Sequence, residues 1–153
     1  MADTSLNENR LGLLIWQISN LWQSKLRQCL KNYKISLNEY LILEAIYKLE
    51  FKNVSISQKN IAVNSSIDTS VVSIKLNILE GKKLIYKVKP KNNRTSNISL
   101  TNEGKKLIIK SMNIIYKEEK KIFEKLNDET LNFKNSLRLI LGKKIRIKAN
   151  NYA

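Results

Sequence analysis

Apolar residues recur at helical spacing along most of this chain, and the places where the period changes are the informative ones. From Glu8 to Leu30 the apolar positions are Leu11, Leu14, Ile15, Ile18, Leu21, Trp22, Leu26, Cys29 and Leu30. They predict a long helix whose stripe is wide enough to meet more than one neighbour. The polar residues 1–7 before it predict a frayed start. After a break at Asn32-Tyr33-Lys34, Ser36-Leu37-Asn38-Glu39 has the form of a capping box, with Ile35 placed as its staple. The helix that follows carries Tyr40, Leu43, Ala45, Ile46 and Leu49. Ser57 then caps a short helix through Asn64 with Ile61 and Ala62 inward, and Asp68 caps another that runs to about Gly81.

At Leu84 the period drops to two. Leu84–Lys89 and Ser96–Leu100 alternate as half-buried strands, with Pro90 at the exit of the first. Helical spacing returns at Thr101, with Ile108, Met112, Ile115, Ile122 and Leu126. A last helix, from Asp128 to Ala149, carries Leu131, Leu137, Ile140, Leu141 and Ile145. Short helix, turn, second helix and basic hairpin is the order of a winged helix-turn-helix. The expected fold is therefore mainly α with a small β-hairpin wing, as one domain over 1–153. Within it, 36–101 form the winged-helix region, and 8–31 and 102–149 form long flanking helices.

The chain has 28 Lys+Arg against 13 Asp+Glu, a formal charge of +15 over 153 residues. That excess favours a polyanionic partner. Lys, Asn and Ile are all abundant, so the total reflects composition in part and its placement is more telling. Between Phe51 and Asn102 stand nine basic residues (Lys52, Lys59, Lys75, Lys82, Lys83, Lys87, Lys89, Lys91, Arg94) and two acidic ones (Asp68, Glu80). About half of the whole excess lies in a third of the chain.

The second short helix divides by angle: Val72, Leu76 and Leu79 share the core side, while Ser70, Ser73 and Asn77 lie on the other. Ser and Asn side chains donate and accept, which suits base edges and phosphates; the plainer reading is a solvated helix face. Along the hairpin, alternation sends Lys87 and Lys89 to one face, with Lys91 and Arg94 toward the tip and Arg94 in reach of a minor groove. An edge strand protected by lysines against further pairing would look the same. Ser57 and Gln58 at the start of the first short helix and Thr69 at the start of the second complete the candidate DNA-facing set.

These residues resemble the MarR family of bacterial winged-helix transcription regulators over nearly the whole chain. The family's helix-turn-helix reads apolar-Thr-Gln-x-x-Leu-Ala, Gly-apolar-Asp and Ser-x-Val-Thr. Here Ile56-Ser57-Gln58, Ile61-Ala62, Ile67-Asp68 and Ser70-x-Val72-Ser73 occupy those places. The family's wing ends in an Asp-x-Arg tip, a strand and Leu-Thr-x-x-Gly, matched by Asn92-Asn93-Arg94 and by Leu100-Thr101-Asn102-Glu103-Gly104. Four departures stand out: Ser65 for an apolar residue, Ser66 for Gly, Asn92 for Asp, and Ile74-Lys75 where Arg-Leu is usual.

The resemblance implies a homodimer paired through the flanking helices, double-stranded DNA as partner, and a repressor role relieved in some relatives by a small molecule. Trp16, Trp22, Tyr33, Tyr40 and Tyr116 are candidates to line such an effector pocket, with plain core or dimer interface the favoured reading. Cys29 reads as a small apolar residue rather than a redox sensor. A lone cysteine forms no intramolecular disulfide, and no secretory pattern or bilayer-length apolar run is present, so a cytoplasmic, nucleoid-associated protein with no membrane partner is expected. With no His and scattered glycines, catalytic Ser-His and Cys-His pairs, His-ligated metals and phosphate loops are absent, so neither an enzyme nor a cofactor is expected. Two alternatives remain at this point: a low-specificity nucleoid or architectural DNA-binding protein, and a helical adaptor for an acidic protein.

Overall fold

The structure is a computed structural model that describes residues 10–52, 54–88 and 97–147. Among the described residues six α-helices, α1 (Leu11–Leu30), α2 (Leu37–Glu50), α3 (Gln58–Ser65), α4 (Thr69–Gly81), α5 (Asn102–Phe123) and α6 (Thr130–Ile140), accompany two strands, β1 (Ile85–Val88) and β2 (Asn97–Leu100). The chain divides into two compact units, residues 1–118 and 119–153.

The first unit is built on α2. Its capping box is formed in full: the Glu39 amide donates to Ser36 Oγ at 3.2 Å, and Glu39 Oε2 accepts from the Ser36 amide at 3.3 Å. Tyr40, Leu43, Ala45, Ile46 and Leu49 are all buried, as the period requires. They join Leu26 and Leu30 of α1, Ile61 and Ala62 of α3, Val72, Leu76 and Leu79 of α4, the strand residues Ile85, Ile98 and Leu100, and Ile108 and Ile115 of α5 in one core. Between α1 and α2 a short 3-10 turn (Lys31–Tyr33) ends at Lys34 in the left-handed region. Cys29 is half-buried and packs against this core, as does Trp22.

Ser57 caps α3, its hydroxyl accepting from the Asn60 amide at 3.1 Å. The helix stops at Ser66, whose φ is 58°. That backbone explains why Gly is favoured there: a Cβ in the left-handed region costs about 1 kcal/mol or more. Ser66→Gly should therefore raise stability by about 0.5 kcal/mol, the relief being offset in part by the greater freedom of unfolded Gly. Urea denaturation would show it as a higher midpoint at unchanged slope, and a lower midpoint would refute it.

Asp68 occupies the cap position of α4, but its side chain does not cap the helix amides as expected. The Ser70 hydroxyl, two residues on, donates to that carboxylate instead. At the other end α4 closes in a Schellman motif. Leu84 N donates to Leu79 O and Lys83 N to Glu80 O, both at 3.0 Å, with Lys83 in the left-handed region. This turn delivers the chain directly into β1.

β1 and β2 pair antiparallel in the register Ile85↔Leu100, Tyr86↔Ser99, Lys87↔Ile98 and Val88↔Asn97. The segment before α3 is laced to β2, since Ile56 N donates to Asn97 Oδ1 at 2.9 Å and Ile98 N donates to Ile56 O at 3.0 Å. Leu100 N donates to Glu50 Oε1 at 2.9 Å, fixing β2 to the end of α2.

The second unit begins within α5 and continues through a 3-10 segment, Glu124–Glu129, into α6. The last helix differs from its expected Asp128–Ala149 extent. It starts at Thr130 and ends at Ile140 because Gly142, at φ +67°, forms a second Schellman closure: Lys143 N donates to Arg138 O at 2.8 Å and Gly142 N to Leu139 O at 3.1 Å. Ile145 therefore lies outside the helix. The Asn135 side-chain amide holds that tail, donating to Arg146 O at 2.7 Å and accepting from Arg146 N at 3.0 Å.

Candidate nucleic-acid interface

α4 presents two chemically different sides. Val72, Leu76 and Leu79 are buried, whereas Ser70 and Asn77 are exposed and Ser73 is half-buried. Thr69 stands exposed at the helix start. Gln58 Nε2 donates to the Thr69 carbonyl at 3.2 Å, so the first turns of α3 and α4 are joined by a side chain. The Ser57 hydroxyl is committed to capping: besides accepting from Asn60 N it donates to Asn60 Oδ1 at 2.9 Å. Its part in the site is to set the start of α3.

Lys87 lies on the same strand face as Ile85, Ile98 and Leu100, the face turned toward the body of the unit. Its aliphatic stem follows that apolar side and its ammonium emerges beside α4, donating to Asn77 Oδ1 at 2.9 Å. Wing and helix are thus tied by a contact between two candidate residues. Lys89, Lys91 and Arg94 lie outside the described residues, as does the tip 92–94.

The basic run reads differently in three dimensions. Glu39, only 4% exposed, lies within reach of Lys75 in α4 and of Lys82 at its C-cap. Lys82 Nζ donates to its Oε2 at 2.8 Å and to the Lys34 carbonyl at 3.0 Å, and Lys75 Nζ lies 3.8 Å from Oε1. Lys82, one of the nine basic residues counted between Phe51 and Asn102, is engaged inside the unit. The same carboxylate accounts for Lys75 standing where an apolar residue is usual. α4 does not rotate to expose it; its ammonium turns to Glu39 while Val72, Leu76 and Leu79 remain in the core.

That orientation puts Ile74, 61% exposed, on the outer side of α4 together with Ile78. The helical angle from Val72 places Ile74 there as well.

The wing's second strand enters α5 through Leu100-Thr101-Asn102-Glu103-Gly104, and each marked position has a mechanical role. Leu100 is buried. Thr101 caps α5, its Oγ1 accepting from Gly104 N at 3.0 Å and donating to Lys83 O at 2.7 Å. Gly104 faces the Leu84 carbonyl with no room for a Cβ.

The aromatic candidates do not form one group. Tyr40 is fully buried with its hydroxyl 2.5 Å from Glu44 Oε2, Trp22 and Tyr33 are half-buried against the core, and Trp16 and Tyr116 are exposed. Lys48 bonds Glu44 at 3.0 Å and lies 5.9 Å from the Tyr116 ring centroid. Burial lowers the Lys48 pKa, but the hydrogen bond and charge of Glu44, with a smaller contribution from Tyr116, outweigh it and raise the value above the ordinary one.

Fold and site together define a winged helix-turn-helix protein, and the known structures it resembles include MarR-family regulators. No protein-family model matches the chain. A Bacillus subtilis relative, the uncharacterized HTH-type transcriptional regulator YdcH, is 26% identical over 113 residues, 73% of this chain and 77% of its own. The Staphylococcus aureus MepR–DNA complex superposes with TM-score 0.77 at 28% identity, covering 89% of this chain and 97% of MepR. A MarR-family regulator from Rhodococcus sp. RHA1 gives 0.74 at 18% identity over 90% and 95%. CouR from Rhodococcus jostii RHA1, bound to p-coumaroyl-CoA, gives 0.78 at 17% over 94% and 100%. The resemblance read from the sequence therefore holds, and these relatives are transcriptional regulators rather than enzymes.

Proposed function

We propose that this chain is a homodimeric, sequence-specific DNA-binding transcription regulator, acting as a repressor in the cytoplasm. The observation that supports the reading best is the joined pair of α4 and wing. A helix with an exposed Ser70–Ile74–Asn77 face is clasped at Asn77 by a lysine of the adjacent basic hairpin. A helix in the major groove with a cationic ribbon beside it is how such folds read DNA. In this reading Thr69, Ser70, Ser73 and Asn77 face the groove, Gln58 joins the two helix starts, and Lys87, Lys89, Lys91 and Arg94 meet the backbone and minor groove. MepR, whose structure is a DNA complex, supports duplex DNA as the partner.

Dimerisation is supported by α1, where Leu11, Leu14, Ile15, Ile18 and Leu21 recur at helical spacing and are all exposed. A second copy laid against that stripe would remove it from water and set two reading heads about one helical turn of DNA apart. A small-molecule effector, by analogy with CouR, would weaken DNA binding only if it prefers a spacing that DNA does not.

Selection of bound duplexes from a random library tests the proposal. A regulator should recover a rough palindrome preferred over random DNA by at least about a thousandfold at physiological salt, with two protomers per duplex on sedimentation. Lys87→Ala should weaken duplex binding and lower the salt slope by about one per protomer. Recovery of unrelated sequences with equal affinity would instead make it a low-specificity architectural protein.

A further inference from the structure

The centre of the face that α4 turns outward is apolar. With successive residues about 100° apart, Ile74 falls within about 20° of the direction opposite the buried Val72, Leu76 and Leu79. Ser70 and Asn77 lie on one flank of it and Ile78, 38% exposed, on the other. A β-branched side chain there neither fills the core nor favours the helix. Around it stand groups suited to nucleic acid: the Ser70 hydroxyl, the Asn77 amide and the Lys87 ammonium.

In the major groove the one apolar group that distinguishes a base is the C5-methyl of thymine, and an aliphatic side chain is its natural partner. A protein-docking patch would be expected to extend beyond two side chains and to lie apart from the cationic ribbon. We propose that Ile74 is a specificity-determining residue that selects thymine at the base pair beneath the middle of α4 by covering its methyl group. This rests on α4 being the groove-reading helix. Asn77 complements the selection, because its Oδ1 is taken by Lys87 and its amide hydrogens are left to approach acceptor atoms of neighbouring base edges.

The test uses the full-length protein and the duplex recovered from the random library, resynthesised with deoxyuridine in place of thymidine at one position at a time. One thymine per half-site should be sensitive, each lost methyl weakening binding about fourfold and loss from both half-sites about fifteenfold. Ile74→Ala, which leaves the core untouched and should unfold at the same urea concentration or slightly higher, should bind the thymine and uracil duplexes equally. Two results overturn the inference: a wild type indifferent to every substitution, or an Ile74→Ala variant that keeps the discrimination. Either of these with tight binding retained leaves the helix-in-groove reading standing and frees the Ile74–Ile78 pair for a protein contact. Failure to recover any duplex overturns both together.

Discussion

Gly104→Ala should destabilise the protein by about 3 kcal/mol or more, although it places a better helix former inside α5. The sign is what makes the experiment decisive. On an open helix surface Gly→Ala gains about 1 kcal/mol. At Gly104 the new Cβ would lie far inside van der Waals contact distance of the Leu84 carbonyl oxygen. That oxygen cannot withdraw cheaply, because it accepts from Thr101 N at 3.0 Å, while Leu84 N is held by Leu79 O. Moving it would open the Schellman turn of α4 and the cap of α5 together. Gly81 is the internal control: it is helical, has nothing within 4 Å of its would-be Cβ, and Gly81→Ala should stabilise by about 0.5–1 kcal/mol. Denaturant midpoints for the two variants should move in opposite directions. Equal shifts would mean that the α4–β1 turn is not packed on α5 as described.

Glu39→Ala should cost about 2–4 kcal/mol, combining loss of a reciprocal helix cap with loss of the anion that gathers Lys75 and Lys82. Both lysines retain access to water, with side chains 24% and 39% exposed, which keeps the cost below that of stranding a fully buried charge. Glu39→Gln separates the two contributions. Its amide oxygen still accepts from Ser36 N, so the cap survives in part, and the remaining loss reports the ion pairs. Because Lys75 and Lys82 are how α4 is moored to the start of α2, the Ala variant should also bind selected DNA more weakly at temperatures where it is still folded. A stability change under about 0.5 kcal/mol, the range of ordinary surface substitutions, would show that the pairs are incidental.

Much of this architecture is written in local patterns. The capping box at Ser36–Glu39, the inward residues of α3 and α4 and the switch to period two at Leu84 each depend on neighbours within one or two turns, so the chain states them openly. Glu39 shows where local reading stops. Its capping role is visible three residues away, but its partner Lys82 lies forty-three residues on, so that lysine looked like free charge. Gly142 is a stop signal masked in the sequence by apolar spacing that continues past it to Ile145. Ile74 stands out in the sequence as a departure, but its place at the centre of the outward face depends on Lys75 turning toward Glu39. Leu-Thr-x-x-Gly was legible as a motif and mute as mechanics, since the carbonyl that forbids a Cβ at Gly104 comes from a turn twenty residues earlier.

The central claim is that α4 and the basic ribbon grip duplex DNA, and the salt dependence of binding tests it most directly. Titration of the purified full-length protein against the selected duplex by fluorescence anisotropy, from low to physiological salt, should give a log–log slope near about −7, as expected for about four phosphates neutralised per protomer of a dimer. No measurable binding to any duplex at the lowest salt would contradict the account.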